Sequence, residues 1–259
     1  MQETSPVFQL CDDQHHLEEA PVDENDGYSG AWKPCGLTCP CRLGVGRRGE
    51  GADTCGGGVG VAMEDRLLSE LASHGYAVLD GAVPTEVAAG LGRATSGELL
   101  NPSYSDDARP WSLSGVYGLD AFPWHTDAAI SVKPPRWLVL TARELSEPTS
   151  TEVLRPPKDL LSALQRTVLR CTDSKGRTRY LPAVVPDAAG QNRLRWDPRT
   201  CSPRSGVSVD DVEASEPTAR VAWQEGRVLV IDNAVVLHRR PAVSAKARRS
   251  IERIYVWSC

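Results

Sequence analysis

His125 and Asp127 flank a single threonine, and a second histidine, His238, follows far downstream with Arg249 behind it. Two imidazoles and one carboxylate are the donor set of a mononuclear non-haem iron(II) centre. They take one face of the metal and leave the opposite positions open for chemistry. In an extended strand, residues i and i+2 point to the same side, so His125 and Asp127 can grip one ion together. His238 would arrive from a distant strand as the third ligand. A guanidinium on a neighbouring final strand, that of Arg249, can hold an acidic cosubstrate beside such a metal. An isolated His-x-Asp is a weak signal, because a surface turn with a hydrogen-bonded pair reads the same way. Scarcity sharpens it: the chain has five histidines, of which His15 and His16 lie near the N-terminus and His74 ends a predicted helix.

The elements that must position these residues follow from periodicity. Glu64–His74 carries Leu67, Leu68 and Leu71 on one face, which predicts a helix stopped by Gly75. Tyr76–Leu79 reads as a short strand, Pro84–Leu99 as a second helix with proline at its start, and Asn101–Trp111 as a polar loop. From Val116 onward the pattern is mostly β. Predicted strands are Arg136–Ala142, Tyr180–Val185, Arg193–Trp196, Arg227–Ile231 and Ile251–Trp257, interrupted by one helix, Lys158–Leu169. Many short strands separated by turn residues imply a sandwich, jelly roll or barrel.

Residues 1–62 differ from the rest. They hold an acidic cluster and five of the eight cysteines, and a Gly-rich stretch runs from Gly44 to Gly60. Neither part shows a sustained apolar period, so this extension is expected to be poorly structured, with the folded domain over 63–259. Cys35, Cys39 and Cys41, with His15 or His16, are conceivable zinc ligands, but their spacing fits no common zinc pattern, and reduced thiols in a tail are the plainer reading.

The apolar fraction of 41% allows a substantial core, and the net charge of −5 argues against a nucleic-acid-binding surface. No run of about 18 apolar residues exists, so no transmembrane helix is expected. Met1–Leu10 lacks a basic region followed by an apolar core, so no secretory signal is expected and the cytoplasm is the expected location.

Taken with their surroundings, these residues resemble the iron(II)/2-oxoglutarate-dependent dioxygenases, and within them the taurine dioxygenase and clavaminate synthase-like branch. The residues that carry the resemblance are Trp124-His125-Thr126-Asp127, Asp232-Asn233 with His238, and Arg249 with Arg253, over about Leu67 to Trp257. It implies a mainly β domain with flanking helices, a double-stranded β-helix of jelly-roll, cupin-like form. It also implies Fe(II) on His125, Asp127 and His238, with 2-oxoglutarate as cosubstrate and dioxygen as oxidant. Arg249 would hold the distal carboxylate of 2-oxoglutarate, and Arg253, of the same strand parity, would support it. A hydroxyl partner is expected from Thr149 or Thr151, with Thr151 preferred because Val153 and Leu154 follow it.

The implied reaction is oxidation of an unactivated C–H bond, usually to an alcohol, with desaturation or cyclisation open to the same ligand set. The carboxylate of Asp127 disfavours halogenation, since related halogenases carry a small residue there. For substrate contacts, Trp111, Tyr117 and Trp124 offer an aromatic wall, for which core packing is an equal alternative. Arg195, beside Asp197, offers charge at the barrel mouth. Such groups suit an amino acid or similar polar metabolite, free or on a carrier protein. A peptide or protein hydroxylase and a non-catalytic cupin-like metal-binding protein are the competing readings.

Overall fold

The computed structural model describes residues 58–186 and 192–258, so the predicted N-terminal zinc ligands lie outside the described residues. Five α-helices are present among them: α1 (Gly58–His74), α2 (Pro84–Leu91), α3 (Leu113–Tyr117), α4 (Lys158–Gln165) and α5 (Val209–Glu213). The strands are β1 (Tyr76–Asp80), β2 (Arg93–Ala94), β3 (Glu98–Leu100), β4 (Trp137–Leu145), β5 (Ser150–Leu154), β6 (Val168–Thr172) and β7 (Thr178–Pro182). They continue with β8 (Val184–Pro186), β9 (Asn192–Leu194), β10 (Cys201–Ser205), β11 (Ala219–Ala222), β12 (Arg227–Asp232), β13 (Leu237–Arg239) and β14 (Arg249–Trp257). No described helix is long and apolar enough to cross a membrane.

The large sheet has the order β1-β12-β4-β14-β2, with β3 also paired to β14. A small sheet, β11-β5-β13, faces it. β12 lies inside the large sheet and is covered on both faces, which is why Val228-Leu-Val-Ile231 reads as an unbroken apolar run rather than an alternating one. Val228 and Val230 join Val139, Ile254 and Val256 against Leu67 and Leu71 of α1 and Val87 and Ala88 of α2. Leu229 and Ile231 face the other way, where Leu138, Leu140 and Ile251 meet Val153, Val221 and Trp223 from the small-sheet side. Each such buried Leu, Ile or Val contributes about 1.5–3 kcal/mol relative to exposure. The two facing sheets are a jelly roll with helices on the outer face of the larger one.

Between β5 and β11 the chain inserts α4, α5 and the strands β6 to β10 around a third cluster built on Trp124, Leu164, Leu169 and Trp196. Cys171 of β6 and Cys201 of β10 are register partners there, both buried, with sulfurs 3.0 Å apart. The Cys201 amide donates to the Asp197 carbonyl instead of across the ladder. In such a non-hydrogen-bonded pair the side chains approach most closely. Mild oxidation with diamide is therefore expected to join Cys171 to Cys201 and to raise the unfolding midpoint. The chain-entropy model gives about 3–4 kcal/mol for a loop of this length. Non-reducing peptide mapping checks this, and a diamide-treated protein without a 171–201 crosslink would refute it.

Several predicted boundaries move. α1 begins upstream of Glu64, because no proline interrupts the chain back to Gly58. The predicted Pro84–Leu99 helix ends at Leu91. Gly92 has φ +148, and a Cβ there would strike the Trp257 carbonyl, so the chain turns and forms β2 and β3 along β14. The predicted Lys158–Leu169 helix stops at Gln165, since Val168-Leu-Arg-Cys-Thr172 alternates in burial and pairs with both β7 and β10. The predicted Tyr180–Val185 strand breaks at Ala183, whose amide donates to Thr167 and whose carbonyl accepts from Arg195. The strand predicted over Arg193–Trp196 ends at Leu194, because Trp196 turns to bond Thr126.

Candidate metal centre

Three backbone contacts fix the metal-binding segment. His125 and His238 form an isolated antiparallel bridge, with N···O distances of 3.1 and 2.9 Å. Thr126 turns to the opposite side: its amide donates to the Trp196 carbonyl at 2.7 Å and its hydroxyl accepts from the Trp196 amide at 3.1 Å. Asn233 then grips Asp127 by the main chain, accepting from its amide at 2.8 Å and donating to its carbonyl at 3.0 Å. Ala128 follows with φ +54, so the chain leaves the site sharply. His125 and Asp127 thus share a side, as residues i and i+2 of an extended segment must.

His125, Asp127 and His238 are all buried, and their ligand atoms lie within 4.8 Å of one another. Among the described residues no other group of His, Cys, Asp or Glu does this. Asp127 Oδ1 is 3.5 Å from His125 Nε2 and 3.6 Å from His238 Nε2. Donors held at right angles about 2.1 Å from a first-row divalent ion sit about 3 Å apart, so these three atoms fit one face of such an ion. His125 Nδ1 lies 2.9 Å from the Pro123 carbonyl. A carbonyl only accepts, so the proton is on Nδ1 and Nε2 offers its lone pair.

The electrostatics suit ligation. Burial alone would raise the Asp127 pKa. The Arg253 guanidinium, with the two histidine rings beside the carboxylate, overcomes this and holds the carboxyl well below the usual range. Burial, with His125 beside it, lowers the His238 pKa and favours the neutral imidazole a metal needs. The second carboxylate oxygen of Asp127 is occupied: Arg253 donates to Oδ2 at 2.9 Å and the Tyr255 hydroxyl at 3.1 Å. Burial, then the Asp127 charge, pushes the Tyr255 pKa well up, so the hydroxyl stays a donor. Oδ1 alone is left to face the histidines.

The triad opens into a cavity of about 460 Å³ that Thr151, Arg249, Arg253 and Tyr255 also line. A second cavity of equal volume lies beneath α1, away from the triad, so chemistry rather than size picks out the first. Arg249, Arg253 and Tyr255 reach the cavity from β14 by parity. Arg248, on the other side of the strand, is exposed and pairs with Glu144. Arg249 is protonated at neutral pH although burial, helped by Arg240, lowers its pKa to about 10. Thr151 accepts from the Trp223 indole at 3.0 Å, so its own hydroxyl proton is free to donate. Thr149 does not line the cavity. Arg253, expected to support the cosubstrate, lines the cavity and there bridges Asp127 and Glu98, the latter at 2.6 Å.

The four predicted substrate contacts are not brought into the cavity. Trp124 is 0% exposed in the third core cluster, with its indole donating to the Ser215 carbonyl at 3.3 Å. Tyr117 tilts against Phe122 outside the cavity lining, and Trp111 is 55% exposed on the loop before α3. Arg195 donates to the carbonyls of Ala129 at 2.8 Å and Ser131 at 2.6 Å, which pins the chain that leaves Asp127. Tyr255 was missed, although it shares the parity of Arg249 and Arg253 and is found by extending their count. Glu98 was hidden by the overlong helix.

No family model matches the chain, and no curated protein matches it. Solved structures do. An asparagine oxygenase with Fe(II), 3-hydroxyasparagine and succinate superposes with a TM-score of 0.61 at 15% identity, over 76% of this chain and 79% of that one. The non-haem iron oxygenase OrfP with Fe and alpha-ketoglutaric acid gives 0.60 at 19% identity, over 76% and 80%. The chain has the fold of the iron(II)- and 2-oxoglutarate-dependent oxygenases. A protein of Burkholderia xenovorans designated an alpha-ketoglutarate-dependent taurine dioxygenase shares this fold too, with a TM-score of 0.56 at 18% identity over 76% and 84%.

Proposed function

We propose that this protein is an iron(II)- and 2-oxoglutarate-dependent oxygenase that hydroxylates an unactivated C–H bond of an amino acid or amino-acid-like metabolite. The observation that carries the reading is the buried triad of His125, Asp127 and His238, which opens into the cavity that holds the unpaired Arg249. Iron(II) with 2-oxoglutarate would supply the activation of dioxygen. The chain's own residues do the rest. His125 and His238 would present their Nε2 nitrogens, and Asp127 presents one oxygen while Arg253 and Tyr255 hold the other. Arg249 and Thr151 orient the cosubstrate's distal carboxylate, the guanidinium by a charge-assisted pair and the hydroxyl by donation.

For the substrate, asparagine oxygenase holds hydroxyasparagine and OrfP holds (3S)-hydroxy-L-Arg, both amino acids. The present cavity offers Glu98 and Arg109 near its lining, opposite charges that match an ammonium and a carboxylate. The same groups accept the free end of an amino acid carried on another protein.

Anaerobic titration of iron(II) and 2-oxoglutarate into the apo-protein tests the site through the weak visible charge-transfer band of the chelate. The wild type is expected to show the band, and His125→Ala to lack it. Arg249→Ala is expected to need about tenfold or more 2-oxoglutarate to reach it, the worth of a charge-assisted hydrogen bond. Folded, iron-loaded protein without a band would end the oxygenase reading and leave a metal-binding cupin. Free amino acids that stimulate succinate release then identify the substrate class.

A further inference from the structure

Arg240 lies two residues beyond His238, just past β13, and both side chains line the cavity with Arg249. The residue is buried, and its Nη2 donates to the carbonyls of Gly118 and Asp120 at 2.7 Å each. Its guanidinium carbon stacks 3.8 Å from the Phe122 ring centre. These contacts fix the plane of the group without neutralising it. Among the described residues no carboxylate forms an ion pair with Arg240, and its Nε is buried without a partner. Arg249 is alike: its Nε is buried and unpartnered, and no carboxylate pairs with it. The other buried or half-buried guanidiniums of this cavity do meet acids. Arg199 pairs with Asp197 at 2.7 Å, Arg239 with Glu152 at 2.6 Å, and Arg253 with Asp127 and Glu98.

Two like charges placed together out of water without a counterion raise the free energy of the empty cavity, and an anion between them removes that cost. We propose that Arg240 and Arg249 form a two-guanidinium clamp for a single carboxylate, the distal carboxylate of the 2-oxo dicarboxylate cosubstrate. This rests on the oxygenase reading above and adds to it a second binding residue. With both Nη2 hydrogens committed to carbonyls, Arg240 still has Nη1 to donate, and together with the Arg249 fork it satisfies more of a carboxylate's lone pairs than Arg249 and a threonine hydroxyl do. Phe122 and the two carbonyls hold Arg240 in place beforehand, so little side-chain entropy is lost on binding.

The test is anaerobic calorimetric titration of the iron(II)-loaded full chain with 2-oxoglutarate and with 2-oxopentanoate, which has the same carbon chain but no distal carboxylate. Arg240→Gln is expected to weaken 2-oxoglutarate about tenfold and to leave 2-oxopentanoate unchanged. Arg240→Lys, which keeps the charge but not the planar group fixed against Phe122 and the two carbonyls, is expected to fall between Gln and wild type. Equal weakening of both ligands would mean that Arg240 only fastens the 118–122 segment, and it overturns the clamp. Unchanged 2-oxoglutarate binding in Arg240→Gln, with Arg249→Gln impaired, overturns it too while leaving the oxygenase reading intact. Wild-type protein that binds neither 2-oxo acid overturns both.

Discussion

With Asp127 replaced by alanine, the protein is expected to lose 2-oxoglutarate turnover altogether. Its iron(II) affinity should fall by more than the about 10–100-fold that removal of an outer partner of a metal ligand costs. Asp127 supplies one of three donors and the only negative charge among them, so its loss leaves two neutral nitrogens from a bridge between distant segments. The fold should survive, because Arg253 keeps Glu98 as a partner at 2.6 Å when Asp127 is gone. Asn233→Ala is the graded control. The amide holds Asp127 through its backbone and also donates to the Pro135 carbonyl at 3.1 Å, yet touches no metal position. It should therefore stay within the 10–100-fold range and retain measurable turnover. Anaerobic equilibrium dialysis of iron(II), paired with succinate release, reads both variants. Wild-type iron affinity in Asp127→Ala would remove this residue from the ligand set.

The triad was legible in the sequence because its residue types are scarce and its chemistry demands them. Five histidines leave few ways to build a nitrogen-rich site, and the i, i+2 rule places His125 with Asp127 without knowledge of the fold. The same rule put Arg249 and Arg253 on one face of β14 and Arg248 on the other. The rule was not carried far enough: it also reaches Tyr255, and it turns Trp124 and Thr126 away from the metal. Trp124 was read as a pocket wall because it adjoins His125 in sequence, but neighbours along a strand face opposite sides. The long-helix errors have another source. Residues 92–99 and 166–169 contain helix-compatible residues, and only their tertiary partners, β14 in the first case and β7 with β10 in the second, draw them into strands. Arg253 is a further case. Parity gives its face, but its ion pair with Asp127 depends on a distance that no spacing encodes.

The replacement of Trp124 by alanine separates the core role from the pocket role directly. The side chain is fully buried among Leu154, Leu164, Leu169 and Leu237, in the cluster that joins the inserted strands to the small sheet. Removal of such an aromatic costs about 3–5 kcal/mol, from lost transfer energy plus the cavity left behind. The Arg239 guanidinium lies 4.1 Å from the ring centre, and this cation–π contact is lost as well. Trp111→Ala, on an exposed ring, should change stability by no more than about 0.5 kcal/mol. Urea unfolding measures both, with an unchanged m-value marking a pure stability effect. The two tryptophans look equivalent in the sequence, as aromatic residues before the metal loop, so a large difference between them reports the buried setting of Trp124 and the contacts it makes there. If instead Trp124→Ala kept the wild-type midpoint and raised only the substrate KM, the ring would belong to the pocket. Because the Trp124 backbone amide also donates to the Glu213 carboxylate at 2.9 Å, one residue from His125, loosening this core should weaken iron binding in proportion to the stability lost. Metal affinity in the less disruptive Trp124→Phe variant would then track the unfolding midpoint, which ties the packing of the inserted strands to the centre they support.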